Sequence, residues 1–184
     1  MKKIYSIVYL FLILPILIGS NARAQSAEAQ DVLTAAVAGI NHFLEKIPQG
    51  EESFYGFQGR DEFSKVQPGN PYRIYTLNNE FYSTNNIENK NYITPTDQWI
   101  VPLKVNEKYR VLLTIAKMDG AWKAVNFGAA MLATELYEFE NKHPLNNKNG
   151  MLLNVFEPLC DLVLYLNDEN NSVLKAYPVS SASQ

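Results

Sequence analysis

The stretch from 98 to 127 constrains the fold most, because apolar and polar residues alternate in it around two tight turns. Every second residue from Trp99 to Val105 is large and apolar, which is the side-chain period of a β-strand. Asn106-Glu107 and Asp119-Gly120 separate the runs, and Asp-Gly is typical of a type I′ hairpin because both residues accept positive φ. The sequence therefore predicts a three-stranded antiparallel meander with one strongly apolar face and one mixed face, where Ile100 interrupts the polar residues.

Two helices are predicted beside this meander. Apolar residues recur at helical spacing over 26–47 until Pro48 ends the pattern, and again over 128–141. Short strands are predicted at 63–66, 72–77, 151–156, 161–166 and 172–179, and a long polar loop at 78–95. This order indicates an α+β fold. We expect a long N-terminal helix that packs on the antiparallel meander, then a second helix, then three more antiparallel strands.

The first 24 residues have the pattern of an export signal. Lys2 and Lys3 precede an apolar run of about 15 residues, shorter than the ~20 that span a bilayer. Ala22-Arg23-Ala24 then supplies the small-x-small pattern that a signal peptidase cuts after. We expect a signal peptide over 1–24, a mature chain that begins at Gln25, and a periplasmic or extracellular location.

Residues 25–184 are predicted to form one α+β domain, with possible halves 25–127 and 128–184. Without residues 1–24 the chain has 13 Lys and Arg against 19 Asp and Glu. An acidic surface repels phosphate backbones, so nucleic-acid binding is not expected. No second apolar stretch is long enough to cross a bilayer, so stable membrane insertion after cleavage is not expected either. Cys160 is the single cysteine, which excludes an intramolecular disulfide and leaves a buried thiol or a reactive one.

The sequence contains no pattern that points to a catalytic, cofactor or metal site. His42 and His143 are far apart and have no second ligand at helical spacing. Glu135 and Glu138 lie three residues apart on the second predicted helix, where a pair of carboxylates is usually a solvated face. We therefore expect no catalytic residue, no cofactor and no metal.

Aromatic residues in polar loops are the main functional candidates. Five of them are candidate partner-binding residues: Phe54, Tyr55, Phe81, Tyr82 and Tyr92. Such rings anchor a protein partner or stack on sugars. The structural alternative is that they pin the loops to the core.

The long helix followed by an antiparallel meander resembles the cystatin-like and NTF2-like α+β proteins over residues 27–127. The cystatin loop Gln-x-Val-x-Gly is missing, since 65–72 reads Lys-Val-Gln-Pro-Gly-Asn-Pro-Tyr, so cysteine-protease inhibition does not carry over. The sequence favours an exported, soluble, non-catalytic binding or accessory protein with a protein or glycan partner. Two alternatives stay open: an inhibitor or propeptide-like chaperone of a secreted protease, and a small NTF2-like enzyme with a carboxylate/tyrosine pocket.

Overall fold

The computed structural model describes residues 20–79, 81, 92–144, 150–155, 160–166 and 173–178. Helix α1 spans Ser20–Leu44 and helix α2 spans Ala130–Lys142, and two 3-10 helices cover Glu52–Tyr55 and Arg60–Lys65. The eight strands are β1 (Gln67–Pro68), β2 (Tyr72–Leu77), β3 (Ile93–Val105), β4 (Lys108–Met118), β5 (Ala121–Gly128), β6 (Gly150–Val155), β7 (Cys160–Leu166) and β8 (Val173–Pro178). The predicted α+β class is confirmed. No helix within the described residues is long and apolar enough to cross a membrane.

The strands form one mixed sheet. Its order is β5-β4-β3-β2-β6-β7-β8, and β1 pairs with β3 beyond the end of β2. All described pairs are antiparallel except β2 with β6, which run parallel from Tyr72↔Gly150 to Thr76↔Asn154. That parallel pair joins residues 25–127 and 128–184 into a single sheet, so the two possible halves share their hydrogen-bond ladder.

The predicted meander is confirmed at β3, β4 and β5. Asn106 and Glu107 have φ of 50° and 63°, and Asp119 and Gly120 have φ of 53° and 79°. Positive φ at both central residues matches the right-handed twist of paired strands, which is why these turns form hairpins.

Helix α1 covers the strongly apolar face of the meander. Trp99, Val101, Leu103 and Val105 pack there against a helical stripe made of Ala29, Val32, Ala36, Ile40 and Leu44. The stripe lies within the predicted helix, although α1 begins earlier, at Ser20, and ends at Leu44. Burial of this stripe accounts for the placement of α1, because the hydrophobic effect favours removing both faces from water together.

Helix α2 covers the opposite face. Leu132, Ala133, Leu136 and Phe139 are buried against Ile100 and Leu112 of the meander. The mixed face of the predicted meander is therefore also a core face, and Ile100 is apolar because α2 packs on it.

Two predictions about the chain between α1 and β3 are wrong. Residues 63–66 are not a strand, because Phe63 lies within the 3-10 helix Arg60–Lys65 and its ring packs edge-on to Phe57 at 5.1 Å. The predicted loop 78–95 is too long, since β3 begins at Ile93 and Pro95 pairs with Tyr75. Packing of Phe63 against Phe57 outweighed the strand propensity of residues 63–66. Pairing with β2 makes residues 93–95 part of a strand.

A buried ion pair links the second 3-10 helix to β4. The Arg110 Nη2 atom lies 2.6 Å from Glu62 Oε1, and the Gln58 backbone N–H donates to Glu62 Oε2 at 2.8 Å. The side chains of Glu62 and Arg110 are only 7% and 14% exposed. Removal of either partner would leave a charge with little access to water.

Candidate functional site

An aromatic surface lies where the first 3-10 helix meets the end of β5. We define it by Phe43, Phe54, Tyr55 and Phe127. Phe54 is 79% exposed, the most exposed of the large apolar side chains that the structure describes. The 3-10 helix is held by Arg60, which pairs with Glu52 at 3.0 Å and donates to the backbone carbonyl of Ile47. Phe54 is therefore exposed on a 3-10 helix that the contacts of Arg60 hold in place.

The other three rings of this surface form a stack. Phe127 stacks on Phe43 with centroids 5.9 Å apart and on Tyr55 with centroids 5.5 Å apart. The ammonium of Lys46 lies 5.2 Å from the centroid of Phe43. A small pocket of about 160 Å³ opens between these side chains. Its size suits a single side chain or ring, because pockets for drug-sized ligands measure about 300–1,000 Å³.

The remaining aromatic candidates lie elsewhere. The rings of Phe81 and Tyr92 meet edge-on with centroids 5.9 Å apart, and the backbone N–H of Asn78 donates to the carbonyl of Tyr92 at 2.8 Å. Tyr82 lies outside the described residues. Val101 of β3 is level with Phe127 across the sheet. Ile93 precedes Val101 by eight positions, a distance of about 26 Å at about 3.3 Å per residue. The structure thus separates Phe54 and Tyr55 from Phe81 and Tyr92.

A second candidate is a groove at the sheet edge beside β1, with a volume of about 910 Å³. One wall comes from α1, the other from the end of α2, and the floor from β1 and the β3–β4 hairpin. The groove residues used below are Leu33, Val37, Asn70, Lys104, Glu107, Tyr109, Tyr137 and Glu140.

The Glu140 carboxylate is the centre of this groove. The Tyr72 hydroxyl donates to Oε1 at 2.6 Å, the Tyr109 hydroxyl donates to Oε2 at 2.8 Å, and the Asn70 amide donates to Oε2 at 3.3 Å. Burial raises the pKa of both tyrosine hydroxyls well above the usual value, and the negative charge of Glu140 raises it further. Both hydroxyls therefore stay protonated at neutral pH and act as fixed donors.

Two glycines allow the tyrosine rings to reach these positions. A Cβ on Gly150 would lie 2.2 Å from Cδ1 of Tyr72, and one on Gly69 would lie 2.6 Å from Cε1 of Tyr109. Each ring packs flush against strand or loop backbone where any larger residue would collide. Close approach, rather than an unusual φ, is the reason for glycine at both positions.

Sequence reasoning missed Glu140. It considered only Glu135 and Glu138 on this helix and interpreted them as a solvated face; Glu138 is exposed, and neither residue lines the groove. Helical spacing was the signal that could have identified Glu140. It follows the buried Leu136 by four residues and therefore continues the apolar stripe of α2. A carboxylate on a buried stripe needs donors, and Tyr72 and Tyr109 supply them from distant parts of the chain.

The histidines and the cysteine have simpler surroundings. His42 is exposed with its ring edge-on to Phe43, and His143 follows α2 with its ring 5.0 Å from Phe139 and 4.7 Å from Tyr177. Cys160 begins β7, but the surroundings of its thiol lie outside what the structure describes. In the described part of the chain, no three His, Cys, Asp or Glu side chains group so as to hold a metal ion.

Comparison of the chain with protein-family models, with curated proteins and with solved structures found no match.

Proposed function

We propose that this protein is an exported, non-catalytic binding protein that contacts a partner through its aromatic surface. The observation that carries the proposal is the exposure of Phe54, whose ring is 79% accessible on an anchored 3-10 helix. Aromatic residues on loops held by a rigid scaffold are typical anchors of protein–protein interfaces.

The shape of the aromatic surface favours a protein partner over a glycan. Phe54 projects from the surface, and the pocket between Phe43, Tyr55 and Phe127 accepts one side chain from the other partner. An exposed ring on the same 3-10 helix as Tyr55, which lines the pocket, suits reciprocal insertion of side chains, as at interface hot spots. A glycan platform would instead present ring faces side by side, whereas these three rings stack on one another.

The groove gives support for a binding role over a catalytic one. A general base must have a lone pair free for the substrate proton. Three neutral donors orient the Glu140 carboxylate, and the neighbouring hydroxyls of Tyr72 and Tyr109 hold their protons. The two tyrosines therefore cannot act as general bases at neutral pH, and the oriented carboxylate suits ligand recognition.

Replacing Phe54 by serine tests the proposal. The free energy of unfolding should change by no more than about 0.5 kcal/mol, because the side chain is exposed. Affinity for a partner purified from the producing cells should fall by about 30-fold or more, the cost of a hot-spot residue. Urea denaturation measures the first quantity and biolayer interferometry the second.

The matched control is Met118→Ser, which removes a 48% exposed side chain at the far end of β4. This variant should bind the partner like the wild type. Equal binding by wild type, Phe54→Ser and Met118→Ser would overturn the proposed interface. A glycan array run with the same three proteins detects the alternative partner class.

Export makes a separate prediction. Protein isolated from the culture medium or periplasm of its native host should begin at Gln25, because cleavage is expected after Ala24. The cut removes the first residues of α1 but leaves its buried stripe, of which Ala29 is the first described member, so the fold should persist. Edman sequencing measures the start, and a cytosolic protein that begins at Met1 would contradict export.

A further inference from the structure

We propose that the groove binds an organic cation, an alkylammonium or guanidinium group, between the Glu140 carboxylate and the rings of Tyr109 and Tyr137. This inference is independent of the aromatic surface and of its partner. It rests on the charge, the rings and the walls of the groove.

The charge of the groove favours a cationic ligand. All three donors to Glu140 are neutral, since they are two hydroxyls and one amide. Within the described residues, no Lys, Arg or His forms an ion pair with Glu140. Glu107, the other carboxylate of the groove, is offset by Lys104 at 2.8 Å. The groove thus carries one carboxylate that is oriented by neutral donors and lacks a described counter-charge, so a cationic ligand is favoured over an anionic one.

Two tyrosine rings of the groove lie close to the Glu140 carboxylate. Tyr109 and Tyr137 meet edge to face, with centroids 6.0 Å apart and planes at 68°. Tyr137 lies three residues before Glu140 on α2, so its side chain shares a helix face with the carboxylate. A cation held by Glu140 can therefore also approach the electron-rich face of a tyrosine, an attraction that acts within about 6 Å of the ring centroid.

The opposite wall of the groove comes from α1 and contains two aliphatic side chains. Leu33 and Val37 of α1 line the groove, and Val37 is 60% exposed. This wall offers apolar surface to the methylene stem of a lysine or arginine side chain. A bare divalent metal is a poor fit, because calcium takes six to eight oxygen ligands and no three His, Cys, Asp or Glu side chains of the described residues group so as to hold a metal ion. The combination of charge, rings and aliphatic wall matches a cation on an apolar stem.

The experiment is an NMR titration of ¹⁵N-labelled full-length protein at low ionic strength with three probes. N-acetyl-lysine-methylamide represents a peptide side chain, n-butylammonium represents a free amine, and N-acetyl-norleucine-methylamide has an apolar stem without charge. We expect saturable shifts at Asn70, Tyr109 and Tyr137 with the two cations and none with norleucine. Tighter binding of the lysine derivative identifies a peptide as the source, and equal binding identifies a free amine.

Three variants test the assignment of the groove. Glu140→Gln removes the charge and should weaken binding by about tenfold or more, the scale of a charge-assisted hydrogen bond. Tyr137→Leu leaves the hydrogen bonds to Glu140 intact and should weaken binding by about threefold, the scale of an exposed cation–π contact. Glu138→Gln makes the same charge change on an exposed part of α2 and should leave binding unchanged.

Two results would overturn the proposal. One is the absence of saturable shifts at groove residues with either cation. The other is equal weakening by Glu138→Gln and Glu140→Gln, which would mean that the net charge alone attracts the probe. Should Glu140→Gln fail to fold, Tyr137→Leu decides, because unchanged binding in that variant excludes the ring contact.

Discussion

Replacing Trp99 by alanine should lower the free energy of unfolding by about 3–5 kcal/mol, the range for removing a large aromatic side chain from a core. The Trp99 side chain is 0% exposed and lies between the meander and α1. The Arg73 guanidinium lies 5.6 Å from its ring centroid and pairs with Glu28 of α1 at 2.7 Å. The substitution therefore opens a cavity beneath an ion pair that links α1 to β2. Urea denaturation followed by circular dichroism measures the loss.

Trp122→Ala is the matched control for Trp99→Ala. Trp122 is only partly buried, on the edge strand β5, whereas Trp99 is fully buried. Its removal should cost clearly less than removal of Trp99. Fluorescence adds an independent reading, since a Trp122→Phe protein should emit at shorter wavelength than a Trp99→Phe protein. Equal losses of stability and equal emission would contradict the assigned sheet face.

Replacing Glu62 by alanine should lower the free energy of unfolding by about 3–5 kcal/mol, because it leaves the Arg110 charge buried without its partner. The Arg110 Nε atom is also buried, and no described residue accepts a hydrogen bond from it. Glu62 therefore supplies the carboxylate that compensates this guanidinium. Thermal and urea unfolding of the variant measure the effect.

Two further variants separate a pair effect from a loss of packing. Glu62→Met combined with Arg110→Met removes both charges and should recover most of the lost stability, because apolar replacements of buried pairs are often neutral. Asp61→Asn breaks the exposed pair with Lys65, 3.4 Å apart, and should cost about 0.5 kcal/mol or less. A double variant as unstable as Glu62→Ala would show that the charges are not the cause.

Local patterns were sufficient for the elements whose signals lie within a few residues. The meander follows from alternation and from two turns that require positive φ, and both turns have it. The stripes of α1 and α2 follow from helical spacing. The prediction of a strand at 63–66 was wrong because residues 60–65 form a 3-10 helix, which strand propensity alone does not reveal.

The candidate sites depended on partners that are far apart in sequence. Phe54 and Tyr55 were selected from composition, but only the structure places Tyr55 against Phe127 and leaves Phe54 in water. Phe81, Tyr82 and Tyr92 stay predictions as partner-binding residues, as does the resemblance to cystatin-like and NTF2-like proteins. The Glu140 site was not foreseeable, since its donors Tyr72 and Tyr109 lie 68 and 31 residues away.

The sequence by itself determined the α+β class, the two hairpins and the apolar faces of both helices, because turn chemistry and side-chain period act over a few residues. Only the tertiary structure decided that α2 covers the face opposite α1 and that β2 pairs in parallel with β6. The hydrophobic effect has no direction, so an apolar face does not specify which element will cover it. Long-range pairing resolves that choice, and in doing so it brings Tyr72, Tyr109 and Glu140 together.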